Sequence, residues 1–233
     1  MNAQLPLALR LPAASRLDNF VSGGNREVVA AVRELLGTGT SGVLFLAGAA
    51  GTGKTHLLQA ACRAVETDGG QAAYLPLRDL VVHPPALLEG LEQYRLIACD
   101  DVQAIAGRSD WEEAVFHLYN RLRETGGSLL GAGRQPPERL GLGLPDLRSR
   151  LASGGVYALQ APDDAGLQEI LILHAYERGL ELPAETAQFL LRRCPRDLHA
   201  LVALLDRLDR AALRAQRRLT VPFVRAVMES DGE

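Results

Sequence analysis

The sequence predicts an α/β domain built on a parallel sheet, followed by a small α-helical domain. Two apolar runs, Val43–Ala47 and 95–99, are typical of strands buried on both faces of a parallel sheet. Predicted strands and helices alternate up to about residue 161, whereas only helical patterns follow residue 163. This order of elements indicates an α/β core with a separate helical domain behind it.

The remaining elements of the core differ in the strength of their signals. The strongest helical pattern covers 111–124, where apolar residues repeat at helical spacing. A weaker pattern, a possible helix within 79–92, is interrupted at Pro84 and Pro85. The other predicted core elements are helices over 25–36, 56–65 and 146–152, and strands over 72–75, 128–132 and 156–159.

The predicted domain organisation is an extended N-terminal arm over 1–15, an α/β core over 16–161 and a helical lid over 162–233. The lid is expected to contain four helices, and 233 residues suffice for one core domain and one small domain. These lid helices are predicted over 164–177, 184–192, 197–215 and 221–228.

Composition excludes several classes of protein. The net charge of −3 argues against non-specific binding to a nucleic-acid backbone, for which a basic stripe is expected. Cys62, Cys99 and Cys194 are far apart and lack metal-ligand spacing, which favours a reduced, cytoplasmic protein. We find neither a signal-peptide pattern nor an apolar run of roughly 18 residues, so we expect no contact with a membrane.

The most specific motif is a P-loop that follows the first apolar strand and precedes a predicted helix. Its sequence is Gly48-Ala49-Ala50-Gly51-Thr52-Gly53-Lys54-Thr55. The glycines allow a tight turn and let backbone N–H groups approach phosphates at a helix N-terminus. Lys54 would neutralise phosphate charge, and Thr55 would ligate Mg²⁺. The alternative is a chance match in a glycine-rich turn.

Two adjacent carboxylates end the second apolar strand, about 45 residues beyond the P-loop. Asp100 would bind Mg²⁺, directly or through water, and Asp101 would orient a water or act as a base. An ordinary acidic turn at the end of a strand is the alternative.

The order of P-loop, acidic strand end and helical domain resembles the AAA+ ATPases of the DnaA clade, and within that clade the Hda family of regulators. The resemblance extends over nearly the whole chain. Beyond the P-loop it depends on four stretches, of which the last two are the more discriminating: 17–25, 111–121, 143–151 and 216–224.

The resemblance implies a clamp-binding peptide in the arm. The segment Gln4-Leu5-Pro6-Leu7-Ala8-Leu9 is similar to the peptide by which Hda proteins dock on the sliding clamp of the replicative DNA polymerase. Leu5, Leu7 and Leu9 would enter an apolar pocket, and Gln4 would make polar contacts at its edge. Composition alone favours a disordered tail.

The resemblance also assigns roles to single residues. Arg150 is similar to the arginine finger that reaches a nucleotide on a neighbouring subunit, and Arg196 to the sensor II arginine that reports the phosphate state. Phe20 and Val21 belong to a segment similar to the one that lines the adenine pocket. We include His56, at the start of the next helix, in the nucleotide-binding set, although its side chain is interpreted as structural.

One position departs from the family pattern. Alignment on Pro136 and Pro137 places Arg134 where sensor I usually has a small polar or acidic residue. A cation there would alter the position of water near the γ-phosphate, so we expect binding to be retained and intrinsic hydrolysis to be weak or absent. The family's initiator continues into a helix-turn-helix domain, whereas this sequence ends at Glu233, so we expect no sequence-specific DNA binding.

The leading hypothesis is a negative regulator of replication initiation. It would bind ADP (or ATP) and Mg²⁺, dock on the sliding clamp and direct Arg150 at ATP held by a DnaA-type initiator. One alternative is a self-sufficient AAA+ ATPase, such as a helicase loader, with Asp101 as the catalytic residue. The other is a nucleotide-dependent adaptor without stimulatory activity. A homo-oligomer is compatible with all three.

Overall fold

The computed structural model describes residues 15–37, 39, 41–194, 198–215 and 217–229. The clamp-binding residues predicted in the arm, Gln4, Leu5, Leu7 and Leu9, lie outside the described residues, as does Arg196. The chain divides into two compact units, Met1–Ala161 and Pro162–Glu233. Strands occur in the first unit and the described part of the second is helical, which confirms the predicted fold class.

The core contains one sheet of five strands, and every pair of neighbouring strands is parallel. The spatial order is β2-β3-β4-β1-β5, so the first strand lies between the last two. Parallel strands place their carboxyl ends at one edge of the sheet, where ligands of open α/β sheets usually bind. The strands are β1 (Val43–Ala47), β2 (Ala72–Pro76), β3 (Leu96–Asp100), β4 (Ser128–Gly133) and β5 (Gly155–Ala158).

Helices cover both faces of the sheet, and their bounds follow the predicted ones closely except at 79–92. The core helices are α1 (Arg26–Leu35), α2 (Lys54–Thr67), α3 (Leu77–Leu80), α4 (Ser109–Glu124) and α5 (Pro145–Ala152). The lid helices are α6 (Asp164–Glu177), α7 (Ala184–Arg193), α8 (Leu198–Ala215) and α9 (Val221–Glu229).

The interruption predicted at Pro84 and Pro85 is present, but little of the segment 79–92 is α-helical. α3 ends before the proline pair, and the chain then forms two short 3₁₀ turns, Pro85–Leu88 and Leu91–Gln93. Proline restricts the residue before it and has no N–H to donate, so Pro84 and Pro85 prevent α3 from continuing. Gly90, at φ 81°, separates the two turns.

The strand residues alternate between two apolar layers. Phe45 faces the layer that contains α4 and α5, whereas Leu44 and Leu46 face the layer that contains α1 and α2. Trp111 and Tyr119, which we interpret from the sequence as core residues, are 0% and 3% exposed and lie in the first layer. The sheet is therefore buried on both faces, as continuous apolar strands require.

The helical unit has an apolar core of its own. Leucines from α6, α7 and α8 form its centre, together with Leu219 and Val224. The Thr186 hydroxyl donates to the carbonyl of Leu219 at 3.0 Å, and the Asp163 carboxylate caps α6 by accepting from the Gly166 N–H. Among the described residues, no helix has the length and apolar character that would let it cross a bilayer.

Candidate nucleotide-binding site

The P-loop connects the carboxyl end of β1 to the first turn of α2. The Gly48 N–H donates to the carbonyl of Gly133 at the end of β4, at 3.1 Å. Gly51 and Gly53 have φ angles of 77° and 92°, in the region that favours glycine. Gly53 is the residue that precedes α2, so the loop leads directly into a helix N-terminus, where anions are stabilised.

The loop passes close to other groups at two of its glycines. A Cβ atom on Gly53 would lie 2.6 Å from Cε2 of Phe20. One on Gly48 would lie 2.9 Å from the Thr52 hydroxyl and 3.0 Å from the carbonyl oxygen of Leu159. In contrast, a Cβ on Gly51 would meet nothing within 4 Å. The contacts at Gly48 and Gly53 leave no space for a side chain.

Alanine at Gly53 is expected to destabilise the protein more than alanine at Gly51. Both substitutions place a side chain in the left-handed region, which costs roughly 1–2 kcal/mol. Gly53→Ala also drives a methyl group into the Phe20 ring, and such overpacking adds about 1–3 kcal/mol. Chemical denaturation of the two variants measures the difference, and equal losses would show that Phe20 yields freely.

Lys54 lies inside the loop and is only 8% exposed. Its Nζ donates to the carbonyl oxygens of Gly48 and Ala49, each at 2.7 Å. Burial lowers the pKa of the ammonium group, and the carboxylates of Asp100 and Asp101 oppose that shift. A cation already held among loop oxygens is well placed to contact phosphate oxygens instead.

Asp100 ends β3 and is 4% exposed, with donors on both of its oxygens. Oδ2 accepts from the Thr55 hydroxyl at 2.6 Å and from the Tyr74 hydroxyl at 2.9 Å. Oδ1 accepts from the Asp101 N–H at 2.9 Å. Burial, followed by the neighbouring Asp100 charge, raises the pKa of Tyr74, so this phenol remains a neutral donor.

The neighbouring oxygens of Thr55 and Asp100 fit a Mg²⁺ ion. Magnesium prefers oxygen ligands and is usually held by one or two protein groups, substrate phosphates and waters. The described part of the chain contains no group of three or more His, Cys, Asp or Glu side chains that could hold a metal ion. A magnesium ion here would therefore depend on phosphate and water for most of its ligands.

Asp101 has an unusual backbone conformation, and other side chains engage both of its carboxylate oxygens. Its φ of 52° is the only positive value among the described non-glycine residues. Oδ1 accepts from Nε2 of Gln103 at 2.6 Å, and Oδ2 pairs with the Arg78 guanidinium at 3.1 Å. Oε1 of Gln103 in turn accepts from the N–H of Arg134, the exposed residue that directly follows β4.

The segment before α1 packs against the start of α2. The Phe20 and His56 rings have centroids 5.7 Å apart. His56 Nε2 contacts the Arg16 carbonyl at 3.0 Å and the Asn19 side-chain oxygen at 3.1 Å, in agreement with a structural role for its side chain. Val21 follows Phe20 and is half-buried.

A further amide joins this segment to the sheet. Asn25 is 5% exposed, and its side chain donates to the Gln160 carbonyl at 3.0 Å and accepts from the Gln160 N–H at 2.8 Å. The chain after β5 is thereby fixed to the start of α1. The sequence did not predict this pairing, because a contact between residues 135 positions apart leaves no local signal.

Ser15 is hydrogen-bonded to the helix that follows the P-loop. Its hydroxyl donates to Oε1 of Gln59 on α2 at 3.0 Å. The Gln59 side chain influences Tyr74, which donates to Asp100. Sequence reasoning missed Ser15, Gln59 and Tyr74, since scattered polar residues of these types are ordinary in any α/β protein.

The structure does not bring Arg150 to this site. Its side chain is exposed on α5, and it forms no ion pair with any described residue. The buried residues of α5, Leu147 and Leu151, belong to the layer on the other side of the sheet from α2. The P-loop, Asp100, Asp101, Phe20 and His56 do lie together.

Comparison with known proteins relates both units to replication proteins. The Hda lid domain family matches residues 164–228. The chain is similar to domain III of the Thermotoga maritima replication initiation protein DnaA, with a TM-score of 0.82 and 24% identity over 94% of this chain and 98% of that one. It is also similar to a DNA replication initiation factor, with a TM-score of 0.72 and 27% identity over 89% and 68% of the two chains.

A third solved structure, AMPPCP-bound DnaA from Aquifex aeolicus, has a TM-score of 0.69 and 27% identity over 84% of this chain and 65% of that one. The similarity to DnaA domain III extends over 94% of this chain and therefore over both units, and the family match lies within the helical unit. The helical unit matches the Hda lid domain and the chain shares the AAA+ fold of DnaA domain III, and together these findings support a protein of the Hda/DnaA clade.

Proposed function

We propose that this protein is a negative regulator of replication initiation that stimulates hydrolysis of ATP bound to a DnaA-type initiator. The observation that carries the proposal is the placement of Arg150. It is exposed, has no ion-pair partner among the described residues, and lies on the side of the sheet opposite to α2. An arginine in this position is suited to a nucleotide on another molecule, and the Hda-type lid supports the same partner.

The protein's own nucleotide is ADP, or ATP, held by the P-loop. The loop N–H groups and Lys54 bind its phosphates, and Thr55 and Asp100 hold Mg²⁺, which neutralises phosphate charge. Phe20 and Val21 contact the base. Support comes from the left-handed glycines and the Thr55–Asp100 contact, and from AMPPCP in the DnaA of Aquifex aeolicus. In this scheme Arg196 reports the phosphate state.

The protein's own hydrolysis is weak in this proposal. A carboxylate that acts as a base must be able to turn toward its water, and contacts on both oxygens restrict that movement. One carboxylate oxygen of Asp101 accepts a hydrogen bond from Gln103, and the other forms an ion pair with Arg78. Arg134 adds positive charge at the end of β4. Burial is the main cause of the lowered pKa of Lys54, and the charge of Arg134 lowers it further. We therefore assign catalytic action to Arg150 on the partner's ATP.

The sliding clamp is the second proposed partner, bound through Gln4–Leu9 in the cytoplasm. Alanine at both Leu5 and Leu7 is expected to weaken clamp binding by roughly a hundredfold or more, because each buried leucine contributes about 1.5–3 kcal/mol. Surface plasmon resonance on immobilised clamp measures the effect. Leu11→Ala, in the same arm but outside the peptide, is the control. Equal affinity of the double variant and the unaltered chain would refute this docking site.

The function is tested by measuring hydrolysis of initiator-bound ATP with and without this protein and clamp-loaded DNA. We expect acceleration only when the protein and the loaded clamp are both present. Rapid ATP turnover by the protein alone would instead indicate a self-sufficient ATPase with Asp101 in the catalytic role. Binding to both partners without acceleration would indicate an adaptor.

A further inference from the structure

Glu112 is a carboxylate buried inside the core, on the first turn of α4. It is 1% exposed, yet it has no cationic partner among the described ion pairs. Its oxygens instead accept three backbone hydrogen bonds: Oε1 from the N–H groups of Gly107 at 2.8 Å and Gly143 at 3.0 Å, and Oε2 from that of Leu144 at 2.6 Å. Hydrogen bonds to an ionised group are about twice as strong as neutral ones.

The donors come from two separate loops, and one loop leads directly into α5. Leu144 is the residue immediately before that helix, and its carbonyl accepts the first helical hydrogen bond, from the Arg148 N–H at 3.2 Å. No side chain of α5 or its cap residue caps the helix. The side chain that satisfies the backbone at this helix start therefore comes from a different element, α4.

α5 depends on such contacts because it has only eight residues. Isolated helices shorter than about 12–15 residues are marginal in water, so tertiary contacts must set the position of this one. Leu147 and Leu151 attach one face of it to the apolar layer. Glu112 fixes its N-terminal end, which lies about 9 Å along the helix axis from Arg150, at 1.5 Å per residue.

We propose that Glu112 is the positioning residue for Arg150, and this inference rests on the proposed function. Glu112 touches neither nucleotide nor partner and acts by holding the start of α5. The requirement is strict, because a misplacement of about 1 Å at a reacting centre can cost roughly a hundredfold in rate. The three hydrogen bonds limit sliding and rotation of a short helix that the leucines alone would restrain weakly.

Glu112→Gln removes this restraint with little change in volume. The amide oxygen of glutamine can still accept from Gly107 and Gly143. The amide nitrogen would then face the N–H of Leu144, and because both groups are donors, no hydrogen bond can form between them. The defect is confined to the start of α5. Glu113→Gln is a matched control, since it removes the same charge from the next residue of the same helix at an exposed position.

The first measurement is hydrogen exchange by mass spectrometry on the full chain with ADP. In Glu112→Gln we expect amide exchange over 146–152 to accelerate by about tenfold or more, because one hydrogen bond to a charged group is lost at the start of α5. Exchange in α2 should remain unchanged, and Glu113→Gln should resemble the unaltered chain. Unchanged exchange over 146–152, or an equal rise throughout the chain, would overturn the proposal.

The second measurement is stimulated hydrolysis of initiator-bound ATP in the presence of clamp-loaded DNA. Glu112→Gln should lower the maximal rate by about tenfold or more without changing the concentration of protein that gives half-maximal stimulation. Combining it with Arg150→Ala should produce no loss beyond that of Arg150→Ala alone. Further loss in the double variant would overturn the positioning role. If the unaltered protein stimulates nothing, the proposed function fails, whereas the exchange measurement still decides whether Glu112 anchors α5.

Discussion

Arg150→Ala is expected to slow the stimulated hydrolysis of initiator-bound ATP by about 10³–10⁵, close to the initiator's own rate. The guanidinium group would stabilise negative charge that develops on the phosphoryl oxygens during transfer, and alanine offers nothing in its place. Arg150 projects into solvent, and Leu147 and Leu151 supply the buried contacts of α5. The substitution should therefore leave folding, nucleotide binding and clamp binding intact.

The measurement is single-turnover hydrolysis of labelled ATP on the initiator, at saturating concentrations of the protein and clamp-loaded DNA. Arg148→Ala is the control on the same helix, since it removes an identical charge two residues away. Equal loss of stimulated hydrolysis in the two variants would indicate that the overall charge of α5 is what matters and that Arg150 is not an arginine finger. Full stimulation by Arg150→Ala would exclude the assignment altogether.

Lys54→Ala is expected to lower the affinity for nucleotide by about ten- to a hundredfold or more. Hydrogen bonds to a charged group contribute about 1.5–3 kcal/mol each, and Lys54 has several donors. It already makes two bonds of 2.7 Å to Gly48 and Ala49, so little reorientation is needed to contact phosphate. Calorimetric titration with ADP gives the affinity directly.

Lys54→Arg provides a sharper version of the same test. Arginine keeps the charge, but its planar guanidinium is larger and differs in donor geometry from a compact ammonium group. Because Lys54 is only 8% exposed, we expect the arginine variant to bind ADP nearly as weakly as the alanine variant. Affinity restored by arginine would show that charge alone suffices, and unchanged affinity in Lys54→Ala would contradict the phosphate-binding role.

The parts of the fold and site that were predictable from sequence are those with short-range signals. The P-loop needs glycines, a lysine and a hydroxyl at fixed offsets, and these offsets are visible without a structure. The apolar strands β1 and β3 were equally plain, because burial on both faces leaves continuous apolar runs. The structure of the interrupted segment 79–92 was harder to predict, since its apolar residues also suited a helix that the prolines exclude.

The residues that hold the site together were not predictable, because their partners are distant in sequence. Glu112 accepts from Gly143 across 31 positions, and Asn25 pairs with Gln160 across 135. A buried glutamate on an amphipathic helix looks like a surface residue until the loop above it is placed. Asp101 was identified by its position after β3, but its contact with Arg78 depends on where β2 ends, and the contact of Gln103 with Arg134 depends on where β4 ends.

The burial of Lys54 has a further consequence for the energetics of binding. Lys54 is the only lysine in the sequence, and burial depresses the pKa of its ammonium group. Phosphate oxygens in place of the Gly48 and Ala49 carbonyls would bring negative charge to the group and raise that pKa again. In alkaline solution, nucleotide binding would then be coupled to proton uptake. Part of the observed heat of binding would come from the buffer that supplies the proton, and affinity would decline as the pH rises.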